Sequence, residues 1–234
     1  MKKFFLFIIG CFVCSLVSAQ YNYYKLSVGL NTGVTQALAD VQKIVPKPTL
    51  ILSGDYHITP FALAGIEIQK GNISGGDPKN DPHLRYFNNS YLAVMLNGRV
   101  QLGQFVDFES SNLLYAVRGF YVGAGVGIIN NKMAEVVRYK PGTLSDYPPL
   151  GYKFPGVDKA INLLIPINTG ISFNVVDKWR FTKFIFSFNY QSNVMLGEDV
   201  DGYNDPKSRF NNGRDYWGVA SIGVRYCFGP EGLY

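Results

Sequence analysis

The sequence is short of cysteine, histidine and charge, and each shortage excludes something. There are three cysteines, and two of them, Cys11 and Cys14, lie in the first apolar stretch. Once that stretch is removed, Cys227 stands alone and an intrachain disulfide is impossible. The two histidines, His57 and His83, offer little material for a nucleophile and base,. Charged residues make up 17 % of the chain and the formal net charge is +5. No concentrated basic patch accompanies that mild excess, so nucleic acid is not an expected partner. A membrane-spanning helix needs about 20 apolar residues in a row, and no run reaches that length. Residues 4–17 form the longest, and residues 161–173 are interrupted by Asn162, Pro166, Asn168 and Thr169.

What is present begins with a leader. Lys2 and Lys3 precede the apolar run, and Val17-Ser18-Ala19 supplies small residues before Gln20. This order is that of a secretory signal peptide cleaved after Ala19. Residues 1–19 are therefore read as signal peptide and residues 20–234 as one β-barrel domain. A rival reading takes Ile8-Ile9-Gly10-Cys11 as a lipoprotein box with Cys11 lipidated. It leaves only Phe4 to Ile9 as apolar region, too short for a normal signal.

The mature part alternates. Residues 24–34, 50–59, 61–70, 91–102, 120–128, 161–174, 184–193 and 216–228 each set apolar side chains against small or polar ones. In the fourth, Leu92, Val94, Leu96 and Val100 oppose Tyr91, Ala93, Asn97, Arg99 and Gln101. In the fifth, Phe120, Val122, Ala124, Val126 and Ile128 oppose Tyr121, Gly123, Gly125 and Gly127. Segments of about 10 residues with this dyad pattern mark a transmembrane barrel. Lipid offers no hydrogen bonds, so a spanning sheet must close on itself. The expected fold is all-β: an eight-stranded antiparallel up-and-down transmembrane barrel. Its interior is narrow enough to be filled by side chains, which suits the inward glycines.

Connection lengths support the same topology. Thr59-Pro60 and residues 176–180 are short, whereas residues 35–49, 71–90, 129–158 and 194–215 are long and rich in Gly, Pro, Asn and Asp. Outer-membrane barrels have short periplasmic turns and longer external loops. Residues 104–119 are the exception, a long connection on the periplasmic side, where Ser110 is placed to cap a brief helix through Leu113, Leu114 and Val117. Aromatics cluster near the strand ends: Tyr24, Phe61, Phe120, Trp179, Phe184 and Phe228 at the periplasmic side, Phe87, Tyr91, Tyr190 and Trp217 at the external side. They are read as two interfacial girdles.

The closing segment, Tyr216-Trp217-Gly218-Val219-Ala220-Ser221-Ile222-Gly223-Val224-Arg225-Tyr226-Cys227-Phe228, resembles the last strand of small outer-membrane barrels. The opening residues 24–34 and the Tyr56-His57-Ile58-Thr59-Pro60 junction resemble those of the outer membrane protein A family. Tyr226 and Phe228 are the closing-strand aromatics, and the resemblance implies that Phe228 is the signal read by the barrel-assembly machinery. It implies a location in the bacterial outer membrane, with outer-membrane lipid as surroundings. It carries no catalytic residues. Two departures stand out: Gly229 to Tyr234 follow Phe228, and no peptidoglycan-binding domain accompanies the barrel.

Candidate chemistry is sparse. His57 falls near a periplasmic turn and His83 in a loop, neither with an evident partner, so no enzyme is expected. Glu198, Asp199, Asp201 and Asp205 cluster in the last long loop, but the spacing lacks further ligands of a calcium loop. No metal and no cofactor are expected. Lys25, Asp55, Glu67, Arg99 and Arg225 point inward and are read as ion pairs that fill the lumen, since an unpaired charge there is costly. The long loops are the expected functional surface. Residues 129–158 carry Tyr139, Pro141, Tyr147, Pro148, Pro149 and Tyr152, which offer rigid contact area; two readings stand side by side, contact with an envelope protein partner and a rigid loop that only shields the barrel mouth. The expected function is a non-enzymatic structural or interaction barrel. A subunit of a protein-secretion or gliding assembly is the second reading; a lipid-modifying enzyme or small pore comes after it. One expectation is directly measurable: N-terminal sequencing of the exported protein begins at Gln20, and an intact Met1 or a lipidated Cys11 would contradict the leader assignment.

Overall fold

The computed structural model describes residues 22–38, 43–77, 79, 85–139, 153–197, 200–203 and 216–233. The leader lies outside the described residues. Nine strands form among the described residues, eight of them where alternation predicts one: β1 (Asn22–Leu38), β2 (Ile44–Val45), β3 (Lys47–Thr59), β4 (Ala62–Gly76), β5 (Tyr86–Gln101), β6 (Phe120–Val136), β7 (Lys159–Val176), β8 (Thr182–Met195) and β9 (Tyr216–Leu233); β2 lies in a stretch read from sequence as loop. All but β2 wind the barrel. Each pairs antiparallel with its neighbour in the order β4-β3-β1-β9-β8-β7-β6-β5, and β4 pairs with β5 to close the ring. The two-residue β2 adds only an external fringe on β4. No described helix is long and apolar enough to cross a membrane.

The pleat sorts the side chains as the alternation requires. On β5 the apolar Leu92, Val94 and Leu96 are exposed, while Tyr91, Ala93, Met95 and Asn97 are buried. The same parity holds along β3, where Leu50, Leu52, Tyr56 and Ile58 face out and Ile51, Ser53, Asp55 and His57 face in. A water-soluble barrel would invert this arrangement. The exposed face is apolar on every barrel strand, and the buried face holds most of the polar side chains.

The strands outrun the sequence reading at the external end. β4, β5 and β6 continue to Gly76, from Tyr86 and to Val136, so the external loops are shorter than the sequence suggested. At the periplasmic end the turns are tight. Thr59 Oγ1 accepts from the amides of Phe61 and Ala62 at 3.2 and 2.9 Å and donates to Gln104 Oε1 at 2.6 Å. The exceptional connection after β5 holds a short helix, α1 (Asn112–Val117), capped by Ser111 rather than Ser110. Ser111 is the residue in extended conformation whose Oγ meets the amide of Leu113 at 3.3 Å.

The girdle assignment needs correction. Phe61, Phe87, Tyr91 and Trp217 are buried inside the barrel, at 3, 0, 2 and 0 % exposure. Their depth along the axis matches a strand end, but their parity in the pleat turns them inward. Tyr190 and Tyr216 face out on the external half, and Phe120, Phe184, Tyr226 and Phe228 on the periplasmic half.

The register yields a test on one pair of neighbours. Ile222 is 54 % exposed on the outer face and Ser221 is 5 % exposed inside. In phospholipid vesicles Ile222→Arg is expected to destabilise the barrel by about 2–4 kcal/mol, the cost of Arg near the bilayer midplane. Ser221→Ala, which removes a hydroxyl with no partner among the described residues, is expected to change stability by less than about 0.5 kcal/mol. Urea unfolding that ranks the two equally would refute the register.

Candidate functional site

The lumen is the one place where the fold gathers polar chemistry, and it does so in layers. Its middle is a charged belt. Arg99 Nη2 on β5 meets Glu67 Oε2 on β4 at 2.5 Å, and Arg225 Nε on β9 meets Asp55 Oδ2 on β3 at 3.1 Å. All four side chains are at most 4 % exposed. Two acids and two bases cancel, so the belt is neutral. Lys25 lies apart from these pairs. It sits at the bulge where β1 slips against β9, between Tyr24 and Leu26, and is half-buried at the periplasmic rim.

Glycines make room for the arginines. A Cβ on Gly29 would lie 2.8 Å from Arg225 Cγ, and one on Gly123 would lie 2.8 Å from Arg99 Cγ. Each glycine is the cross-strand partner of the arginine it accommodates: Gly29 of Arg225, Gly123 of Arg99. The inward glycines are thus complements to long side chains rather than signs of an empty lumen.

Above the belt runs an amide network. Gln69 Nε2 reaches Glu67 Oε1 at 2.8 Å and Gln191 Oε1 at 2.6 Å, and Gln191 Nε2 donates to Asn193 Oδ1 at 3.0 Å. Tyr91 donates to Gln69 at 3.3 Å and shares a 2.9 Å hydrogen bond with Thr49. Higher still large apolar side chains enter: Ile73, Phe87, Ile129 and Trp217 are fully buried around the hydrogen-bonded pair Asn89 and Asn131, whereas Ile51 and Met95 sit lower, in register with Gln69 and Glu67. The large apolar side chains at this level are absent from the sequence reading, which assigned mainly small and polar residues to the inner face.

Loop segments close the external mouth. Val200 is fully buried and its carbonyl accepts from Asn89 Nδ2 at 3.0 Å. Tyr203 Oη donates to the carbonyls of Val137 at 2.7 Å and Tyr86 at 3.2 Å, and its ring packs edge-on against Phe154 at 5.8 Å. At the periplasmic end, Phe61 packs on Phe108 at 5.3 Å, and Arg118 lies 3.5 Å from the Tyr115 ring centroid. Eight strands already leave room only for side chains, and the described residues place further contacts at each end.

His57 has a partner that the sequence did not reveal. Its Nε2 lies 2.9 Å from Ser27 Oγ, inside the wall formed by β1 and β3. A serine beside a histidine is half of a nucleophilic pair. The adjoining cavity, lined in part by Tyr23, His57, Ile185 and Cys227, measures only about 10 Å³. That is about the space of one water, and it admits no acyl or phosphoryl group. The pair is a buried hydrogen bond between strands. His83, Glu198, Asp199 and Asp205 lie outside the described residues. Asp201 is buried and accepts from the Tyr203 amide at 2.9 Å. Among the described residues no group of three His, Cys, Asp or Glu side chains is placed to hold a metal ion.

Comparison with known proteins enters here. No protein-family model and no curated protein matches the chain in sequence. Among solved structures, Neisserial surface protein A superposes with a TM-score of 0.51 at 11 % identity, over 90 % of this chain and all of that one. Ail, the attachment invasion locus protein of Yersinia pestis, solved in complex with the heparin analogue sucrose octasulfate, gives 0.45 at 9 % identity, over 87 % of this chain and 97 % of its own. The fold is thus that of the small outer-membrane β-barrels.

The belt predicts a coupled pattern of stabilities. Arg99→Ala strands Glu67 in the lumen and is expected to cost about 3–5 kcal/mol. Glu67→Gln/Arg99→Met removes both charges and keeps the volume, and is expected to recover most of that loss. A double-mutant cycle by urea unfolding measures the coupling, and additive effects would mean that the pair is not formed.

Proposed function

We propose that the protein is a non-enzymatic barrel of the bacterial outer membrane, a closed transmembrane scaffold that presents its external loops to an envelope or surface partner. The observation that carries this reading is the reversal of polarity in a closed ring. The outer face is apolar on all eight barrel strands, while Asp55, Glu67, Arg99 and Arg225 are held inside. Only a lipid surrounding makes such an exterior stable.

The lumen argues against transport. The charged belt, the amide network and the buried apolar side chains fill the lumen, and described loop residues pack over each of its ends. What remains to interact is the external rim. There β4, β5 and β6 rise beyond the apolar band, and Tyr139, 60 % exposed, bridges to Lys153. The other loop residues read from sequence as a contact surface, Pro141, Tyr147, Pro148, Pro149 and Tyr152, lie outside the described residues. Loops carry function where a rigid scaffold positions them. The closer affiliation with the outer membrane protein A family rests on the opening strand and on the junction at Thr59-Pro60.

Two measurements test the reading. The protein is expected in the outer-membrane fraction, migrating differently on gels before and after boiling, as a folded barrel does. In planar bilayers it is expected to show no steady large conductance. Sustained high conductance would replace the scaffold with a porin. Recovery of a stoichiometric envelope protein in a mild-detergent pull-down would identify the assembly that it serves.

A further inference from the structure

The outer wall of the barrel is not uniformly convex. Across β1, β9, β8 and β7 it is indented by two grooves of about 810 and 400 Å³. They share Thr32, Phe188 and Ile222, so they form one continuous trough. Small side chains make the depression: Thr32, Ala220 and Thr169 lie in cross-strand rows with the bulky Phe188, Tyr190 and Ile222. The trough starts at Phe186 and Val224, near the periplasmic side, and continues outward to Tyr190 and Ala220.

Positive charge lies at its periplasmic foot. Lys183 sits three residues before Phe186 on β8, with Nζ 4.6 Å from the Tyr24 ring centroid and 4.9 Å from that of Tyr226. The turn into β8 exposes Lys178 and Arg180, with Trp179 between them at 79 % exposure. Arg180 is the only described non-glycine residue with positive φ, at 63°. The carboxylates nearby are Asp177 and Glu231. Asp177 Oδ1 already accepts from the amides of Trp179 and Phe181 at 2.8 and 3.0 Å. Glu231 is exposed on β9 in register with Tyr24. The turn itself therefore carries more positive than negative charge.

Strand rise relates the two features. At about 3.3 Å per residue, Lys183 lies about 10 Å along β8 from Phe186 and about 17 Å from Phe188. In a strand tilted about 45° that path is about 12 Å of depth, within the half-thickness of about 15 Å of hydrocarbon that one acyl chain spans. Trp and Tyr mark the level of the headgroups, and clustered Lys and Arg there favour anionic lipid. We propose that this flank binds an anionic phospholipid of the periplasmic leaflet, its phosphate held by Lys178, Arg180 and Lys183 and one acyl chain laid in the trough along Phe186 and Phe188, as far as the level of Ile222. The site rests on the membrane reading above.

Native mass spectrometry of the whole folded protein in detergent tests it, with dioleoyl-phosphatidylglycerol and dioleoyl-phosphatidylcholine as probes. The wild type is expected to retain the phosphatidylglycerol adduct at lipid concentrations about tenfold lower. Lys178→Ser/Arg180→Asn lies outside the barrel strands, and Asn tolerates positive φ. This double variant should bring the two lipids close together, and adding Lys183→Gln should equalise them. Thr32→Phe, at the level of Phe188 and Ile222 where the two grooves meet, fills the trough and should weaken both lipids while keeping their ratio. Excess glycerol 3-phosphate, a headgroup without chains, should displace neither. Equal wild-type binding of the two lipids, a preference that survives neutralisation, or displacement by glycerol 3-phosphate would each overturn the proposal. Failure of the membrane reading shows separately, as a protein with no heat-sensitive folded band in the same detergent.

Discussion

A backbone amide in hydrocarbon has no water to turn to, and each one left unpaired costs several kcal/mol. That constraint accounts for the main features of this protein. It requires the ladder of β1 with β9 and the additional pairing of β4 with β5, without which two edges would face lipid. It requires the strands to be long, and it makes a two-residue turn such as Pro60-Phe61 preferable to a loop at the periplasmic face. Closure in turn divides every strand into a face toward lipid and a face toward a space only as wide as its own side chains. Polarity then follows position, and the charges that the exterior cannot tolerate are collected within.

Inside, packing and electrostatics solve one problem together. A buried ion pair gains little over a well-packed apolar substitute, but a half-pair is very costly. Arg99 and Arg225 each therefore depend on a carboxylate and on a glycine across the strand that leaves space for the stem. Glu67 is held from two sides, by Arg99 and by Gln69. The amide layer fixes the orientation of these groups, and the buried apolar side chains beyond it exclude the water that would loosen them. Such an interior favours one arrangement of the wall, and a rigid wall is what external loops need to be presented reproducibly.

Alternation was legible because the period of two is imposed by the pleat and needs no tertiary information. It placed all eight barrel strands and the inward direction of Asp55, Glu67, Arg99 and Arg225. Which charge meets which was not legible, because partners depend on shear between strands, and nothing local in the sequence reports it. Ser27 and His57 illustrate the point: they are thirty residues apart, and only the register of β1 against β3 brings them to 2.9 Å. The aromatics misled for a related reason. Proximity to a strand end reports height, and only parity reports side, so Phe87, Tyr91 and Trp217 were taken for an outer girdle while they fill the lumen. The strand extensions past the apolar band were hidden by their composition, since residues 71–76 are rich in Gly, Asn and Ser and read as loop.

The β1–β9 ladder has a consequence for how the protein is made. Seven of the eight barrel ladders join strands that are neighbours in sequence, so each can form as a hairpin soon after its residues are available. The last one unites opposite ends of the chain, from Asn22 against Leu233 to Leu38 against Tyr216. Bringing those ends together carries the largest loop entropy in the molecule, and contacts so remote in sequence slow folding. Until that seam forms, the curled sheet keeps two unsatisfied edges and cannot rest in lipid. The β1–β9 seam is thus the contact that loop entropy places last, and the two open edges before it are where unpaired strands are most prone to pair with another chain.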